Sequence, residues 1–415
     1  MRVCAMSDFE LSRLLLSLVL LLSLALALGQ LFDALRLPRV IGEISAGLLL
    51  GPSFLGAMAP DIQQWIFRAF DEQEKLLSVF YWLGLILLMF SAGFKISTTF
   101  EKGDRSLVLM LIVGGIGLPF LFGFVAASYF PNRNSPHELA FSLVMAVAAA
   151  VTSIPVLTKV FLDLGIESGR FARLTLTAAA IQDLLLWTVL SVAIAIQQGQ
   201  VANAGDLIVI VVATIAFTIF AILFAPTLVR LAGRMVVARS PEDALLGYTL
   251  LVCLVLVSVA SILRVNIIFG ALLAGLVIGR FSAPKMDGVR RAISNVAAWF
   301  FVPIYFALVG LKMNLLEHLD VWLLAGFLVT SSCVKVASVV LVTRSACAQW
   351  RHAFDFGVVM NARGGPGIVL ASLAYASKII DEQLFAALVM TSILTSLFAG
   401  VWLRRRIDVE SSQFA

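Results

Sequence analysis

The stretch AAAIQDLLLW, Ala178 to Trp187, sets a Gln and an Asp inside an otherwise apolar run. Whether that run is soluble core or membrane helix determines the fold. Of the 415 residues, 61% are hydrophobic and only 13% charged, and mean hydropathy is +1.01. One soluble core cannot hide so much apolar surface, so the composition predicts an all-α polytopic membrane protein. The 30 Lys and Arg outnumber 25 Asp and Glu, but they are scattered in short clusters between long apolar segments. That is a topology signal and excludes a nucleic-acid-binding patch.

A span needs about 20 apolar residues, fewer where it is broken. Thirteen segments qualify, at about 13–29, 37–57, 75–95, 105–130, 138–163, 170–197, 206–231, 242–264, 265–282, 290–311, 318–344, 352–377 and 383–403. The eighth and ninth are split only by Arg264-Val265-Asn266. Arg2 and Arg13 ahead of LLLSLVLLLSLALAL also suit a signal peptide, but the next loop, with Asp33, Arg36 and Arg39, joins the basic set below, so the segment is read as a helix. With the N-terminus outside, the inward loops hold 20 basic residues, from Arg36 and Arg39 to Arg404, Arg405 and Arg406, against 8 outward. The excess of basic residues on one side puts the C-terminus in the cytoplasm, with the chain in the inner or plasma membrane. Two basic residues, Lys335 and Arg363, fall inside spans.

Internal similarity points to a duplicated half. AGLLLGP (Ala46–Pro52) resembles AGLVIGR (Ala274–Arg280), 228 positions on, and SAGFKI (Ser91–Ile96) resembles LVGLKM (Leu308–Met313), 217 on. TSIPV (Thr152–Val156) aligns more loosely with GGPGI (Gly364–Ile368), pairing Pro155 with Pro366. Each pair of matched spans is seven apart, an odd number, so the halves enter the membrane in opposite directions, as in secondary transporters. Small-residue motifs do recur in membrane helices for packing reasons, but three matches in one order are hard to attribute to that. The expected organisation is a single transmembrane domain over 1–415, with a first repeat at about 13–197, a linker helix at about 206–231 and a second repeat at about 242–403.

An ionised carboxylate at the bilayer centre costs ~2.5–3.5 kcal/mol or more, so such groups line cavities and ion or proton paths. Asp183 lies near the middle of its span with no basic residue within a helical turn. Pro155 breaks a second span just after Thr152 and Ser153, and Gly364, Gly365 and Pro366 break another. Unwound backbone at membrane depth frees carbonyls that, with hydroxyls, can coordinate a cation. The glycine run is no phosphate loop, since neither a strand nor a Lys-Ser/Thr pair accompanies it. Arg363 can neutralise carbonyl ends at the break, and Lys335 must find Asp183, titrate or bond to freed carbonyls. Glu43 and Asn361 are secondary candidates. Cys4, Cys253, Cys333 and Cys347 show no CxxC spacing, and His137, His318 and His352 stand in loops or at span ends, so neither a disulfide framework nor a metal centre is expected, and no cofactor.

These motifs resemble a family. GQLFDALRLPRVIGEISAGLLLGPSFLG, LGLILLMFSAGF, TSIPVLTKVFLDLGI, LTLTAAAIQDLLLW, PIYFALVGLK and MNARGGPGIVLASLA, in that order, are similar to the transporter domain of monovalent cation:proton antiporters of the Kef-type branch. The resemblance implies a thirteen-helix homodimer exchanging Na⁺ or K⁺ for H⁺, with two interrupted helices crossing at the ion site. It places the essential carboxylate at Asp183, the variable residue before it at Gln182, the interrupted helices at the spans holding Thr152 to Pro155 and Arg363 to Pro366, and the basic residue near the site at Lys335; with the reading of the break above, Thr152 and Ser153 are the expected ion-binding oxygens beside Asp183. Where the family often carries an acid, SAGFKI has Lys95, and about a dozen residues follow the last span. Regulation through a cytoplasmic nucleotide-binding domain is accordingly not expected. A cation channel using the same Asp as its selectivity element, or a sensor with a degenerate site, are the rival readings.

Overall fold

A long apolar run can satisfy its backbone away from water only as a helix or a closed barrel, and every regular element among the described residues is helical. The computed structural model describes residues 7–35, 37–94, 104–130, 137–166, 169–200, 203–237, 242–281, 284–346 and 350–409. Cys4, Arg36, Lys95, Lys102, Arg133, Arg239 and Cys347 lie outside them. The helices run α1 (Asp8–Ala34), α2 (Arg39–Leu50), α3 (Leu55–Met58), α4 (Pro60–Phe67), α5 (Gln73–Gly93), α6 (Arg105–Ala126), α7 (Glu138–Ala150), α8 (Ile154–Asp163), α9 (Arg170–Gln197) and α10 (Ala204–Leu223). They continue with α11 (Ala225–Val237), α12 (Glu242–Ile262), α13 (Ile267–Gly279), α14 (Pro284–Val296), α15 (Val302–Leu311), α16 (Leu315–His318), α17 (Val321–Thr343), α18 (Trp350–Met360), α19 (Gly364–Ala376) and α20 (Glu382–Val409).

Eleven helical segments are long and apolar enough to cross a membrane among the described residues, and each matches an expected span. The other two expected spans are not single helices of that length. The segment at 265–282 is the 13-residue α13, about 20 Å long against a hydrocarbon layer of about 30 Å. The segment at 352–377 is divided at Asn361–Arg363 into α18 and α19. The expected span at 206–231 also closes early, at Leu223, and the amphipathic α11 begins anew two residues later. Pro226, which cannot donate an N–H, sits in the first turn of that new helix, where no donor is needed.

The chain divides into two units. The first comprises residues 1–91, 233–250 and 281–319. Within it α2 packs on α1 and α15, and the small residues of the repeated motifs let backbones touch. A Cβ built on Gly47 would stand 1.8 Å from the Ala307 carbonyl oxygen, and one on Gly310 2.2 Å from that of Ile44. Gly47→Ala is therefore expected to force α2 off α15 at about 1–3 kcal/mol, the usual cost of overpacking. A clear fall in the melting temperature of purified protein would show it, and an unchanged one would contradict this contact.

The second unit comprises 92–232, 251–280 and 320–415. There Gly93 meets α13 in the same manner, its added Cβ lying 2.3 Å from the Leu272 carbonyl oxygen. In this unit α6 packs on α7, α9 and α17, α17 on α18 and α20, and α19 on α20. This unit holds a buried apolar cluster to which Leu111, Leu157, Phe161, Phe171, Val339, Phe356 and Met360 belong. Its polar interior is built around α9.

Candidate functional site

The 28-residue α9 is unbroken and buried along most of its length, packed by α6, α7, α8, α10, α13 and α18. Asp183 lies midway along it, 7% exposed. Its Oδ1 is buried and accepts no hydrogen bond, a costly state for a carboxylate unless something else meets it.

Two interrupted helices meet beside α9. α7 ends at Ala150, Val151 to Ser153 are not helical, and α8 starts at Ile154. Pro155 therefore does not kink a continuous helix; it occupies the first turn of a new one, where its missing donor costs nothing. The Val156 N–H caps onto the Ser153 hydroxyl at 3.4 Å. α18 ends at Met360, and α19 starts at Gly364 with Pro366 again in the first turn. The two unwound segments touch directly: the Ser153 N–H donates to the Ala362 carbonyl at 2.7 Å. Gly364 makes the approach possible, since its φ is +41° and a Cβ there would lie 2.6 Å from Ser153 Oγ and 2.5 Å from Val156 Cγ2. Gly364→Ala adds both that clash and backbone strain of about 1–3 kcal/mol. The melting temperature of the purified protein is expected to fall clearly with that strain; an unchanged one would show that the breaks do not need this contact.

The last carbonyls of α7 have no intrahelical donors and carry the negative end of the helix dipole. Lys335, fully buried on α17, donates to the carbonyls of Ala150 and Val151, both at 2.6 Å, and to Thr152 Oγ1 at 2.9 Å. Three donors thus meet three acceptors, and the ammonium is saturated. Arg363, 1% exposed, donates through Nη2 to the Ser331 hydroxyl at 2.8 Å and, at 3.5 Å, to the Ala149 carbonyl. Its guanidinium also lies over the Phe327 ring, 5.4 Å from the centroid. Two cations therefore cap one helix end.

Gln182, fully buried, is held at both ends of its amide. Nε2 donates to the Leu111 carbonyl at 2.9 Å, and Oε1 accepts from the Thr152 hydroxyl at 3.0 Å. That hydroxyl also lies 2.8 Å from the Met360 carbonyl, so Thr152 ties α9 to both breaks. An Asp in place of Gln182 would have offered Lys335 an ion-pair partner. A neutral amide does not, and among the described residues Lys335 bonds to the unwound backbone rather than to Asp183.

The second unit contains Asp183, Gln182, Thr152, Ser153, Pro155, Lys335, Asn361, Arg363, Gly364, Gly365 and Pro366, and hydrogen bonds join Gln182, Thr152 and Lys335 within it. Glu43 belongs to the first unit, where it is 2% exposed and pairs with Arg39 at 3.1 Å. Ser331 and the carbonyls of Leu111 and Met360 were not legible beforehand: a hydroxyl in an apolar helix and two backbone oxygens carry no sequence signal. No cluster of His, Cys, Asp and Glu that could hold a metal is found among the described residues.

Comparison with known proteins places this arrangement. A family model described as "Sodium/hydrogen exchanger, transmembrane" matches residues 19–406. The chain is 27% identical over 396 residues to Cation/H(+) antiporter 18 of Arabidopsis thaliana, spanning 94% of this chain and 48% of that protein. It is 25% identical over 399 residues to Na(+)/H(+) antiporter NhaS4 of Synechocystis sp., spanning 93% and 95%, and 24% identical over 398 residues to Na(+)/H(+)-K(+) antiporter GerN of Bacillus cereus, 95% of each. The chain thus spans about half the length of the Arabidopsis relative and nearly all of the other two. The sodium proton antiporter MjNhaP1 from Methanocaldococcus jannaschii shares the fold, with a TM-score of 0.69 at 16% identity over 96% of this chain and 97% of that one. With a family model covering nearly its whole length, the chain belongs to the sodium/hydrogen exchanger family.

Proposed function

We propose that the protein is a secondary active antiporter that exchanges a monovalent cation, Na⁺ or K⁺, for H⁺. The observation that carries the reading is the buried carboxylate of Asp183, whose Oδ1 has no hydrogen-bond partner, beside two interrupted helices. A carboxylate in that setting binds either a proton or a cation and cannot hold both, so the two fluxes are coupled by competition for one group. Gln182, Thr152 and Ser153 form the wall beside it. Lys335 and Arg363 offset the charge of the α7 end and keep the unwound backbone in place. The relatives, which include Na(+)/H(+), K(+)/H(+) and Na(+)/H(+)-K(+) antiporters, support the exchange and leave both ions open.

The rest of the reading follows from the same logic. The chain would cross the membrane thirteen times, N-terminus outside and C-terminus in the cytoplasm, as two inverted repeats in a homodimer. The repeated motifs support the repeats: Gly47 of the first half packs on α15 of the second, and Gly93 of the first on α13 of the second. Rocking of one part of each protomer would expose the site to either side in turn.

The test is a reconstituted liposome with an internal pH dye. A cation gradient should drive a pH change that reverses when the gradient is reversed. A cation current with no linked pH change would favour a channel, and no response to Na⁺, K⁺ or Li⁺ would end the antiporter reading.

A further inference from the structure

Most oxygens of the first break are already engaged. The Ala150 and Val151 carbonyls accept from Lys335 and the Ala149 carbonyl from Arg363. The Thr152 hydroxyl accepts from Lys335 and directs its one proton to Met360 or Gln182. Ser153 Oγ accepts from the Val156 N–H. On the second break, the Met360 carbonyl shares the one Thr152 hydroxyl proton with Gln182 Oε1, and the Ala362 carbonyl accepts from the Ser153 N–H.

Asn361, between those two carbonyls, is different. It is 6% exposed, and its Oδ1 is buried without a hydrogen-bond partner. A buried acceptor left open in this way requires a ligand or a water to complete it. Asn361 ends the turn after α18, a helix that packs on α9. The Thr152 hydroxyl touches Met360 on one side and Gln182 on the other, so the chain neighbours of Asn361 and of Asp183 are pinned to one atom. The residues next in sequence to that hydroxyl's two partners, Asp183 after Gln182 and Asn361 after Met360, each carry a buried side-chain oxygen, Oδ1, without a hydrogen-bond partner.

A cation leaving water must replace its hydration oxygens, and hard monovalent ions take carboxylate and amide oxygens readily. We propose that Asn361 Oδ1 is the second side-chain ligand of the transported cation, so that ion preference is set at the second break while the proton is exchanged at Asp183. This rests on the reading of Asp183 as the exchange site. A proton on Asp183 needs no partner at Asn361, whereas a cation does, so Asn361 belongs to the cation half of the cycle.

The experiment measures initial rates of pH change in liposomes against Na⁺, K⁺ and Li⁺ for wild type, Asn361→Ala and Asn361→Asp. Asn361→Ala should raise the cation KM about tenfold, the effect of one lost ligand contact, with a smaller effect on maximal rate, and should change the ratio of KM values among the three ions. Asn361→Asp should lower the KM. Cation-induced thermal stabilisation of the purified proteins gives a second readout, in which Asn361→Ala needs about tenfold more cation for the same shift. Unchanged KM values and ion ratios in both variants overturn the proposal, and so does a uniform loss of rate with KM unchanged, the mark of a structural role. A wild-type protein without cation-driven pH change overturns the antiporter reading itself, a different and separable failure.

Discussion

Asp183→Asn is expected to abolish cation-driven proton movement while leaving a folded protein. The substitution keeps the shape of the side chain and removes the only property the cycle uses, the capacity to be either charged or protonated. Asp183 is 7% exposed, and its Oδ1 has no hydrogen-bond partner to lose, so the fold has little at stake. The cation has a great deal. Without the carboxylate it would be a bare charge near the membrane centre, at ~2.5–3.5 kcal/mol or more, which weakens binding roughly a hundredfold. The proton has nowhere else to go: the neutral Gln182 cannot take it, and Lys335 is bonded to the end of α7. The same competition fixes the sign of the pH effect. Protons displace cations, so the apparent KM for the cation should rise as pH falls, by up to about tenfold per unit, the slope for one proton. Initial rates across a pH series check this; a cation KM that is flat with pH would mean that the two ions use different groups.

The second large effect is expected at Lys335, and it falls on stability. Lys335→Met keeps the length and apolar stem of the side chain and removes three donors at once. The Ala150 and Val151 carbonyls and the Thr152 hydroxyl lose their shared partner in a fully buried place that water does not reach. Stranded polar groups of this kind cost about 1–3 kcal/mol each, so the α7 end should loosen and the melting temperature of the purified protein fall by many degrees. Lys335→Arg retains a cation and several donors and should recover a good part of the loss. If Lys335→Met melted like wild type and lost only transport, the ammonium would be acting on the ion and not on the backbone.

Much of this molecule was legible from the chain because membranes restrict the options. AAAIQDLLLW announces a helix with a charged group on it, and the isolation of Asp183 alone marked it for function. Pro155 and the Gly364–Gly365–Pro366 run gave away both interruptions, because neither an interior proline nor consecutive glycines suit an unbroken helix. What could not be read was partnership. Lys335 had three possible partners on paper, and the choice among them came from where α17 lies against α7. Glu43, a secondary candidate, pairs with an arginine one turn back, Arg39, in the other unit. The length of one element was misjudged: the expected span at 206–231 closes at Leu223, and α11 begins at Ala225 with Pro226 in its first turn. Hydropathy averages over such residues, while backbone geometry responds to each.

The central claim is that one carboxylate gives up its proton when the cation arrives. Counting protons released into a weakly buffered solution as Na⁺ or K⁺ is titrated onto the purified protein tests it without transport or a membrane. Wild type should release up to one proton per chain, saturating together with cation binding, and Asp183→Asn should release none. Cation binding to the wild type with no proton released at any pH would contradict the account.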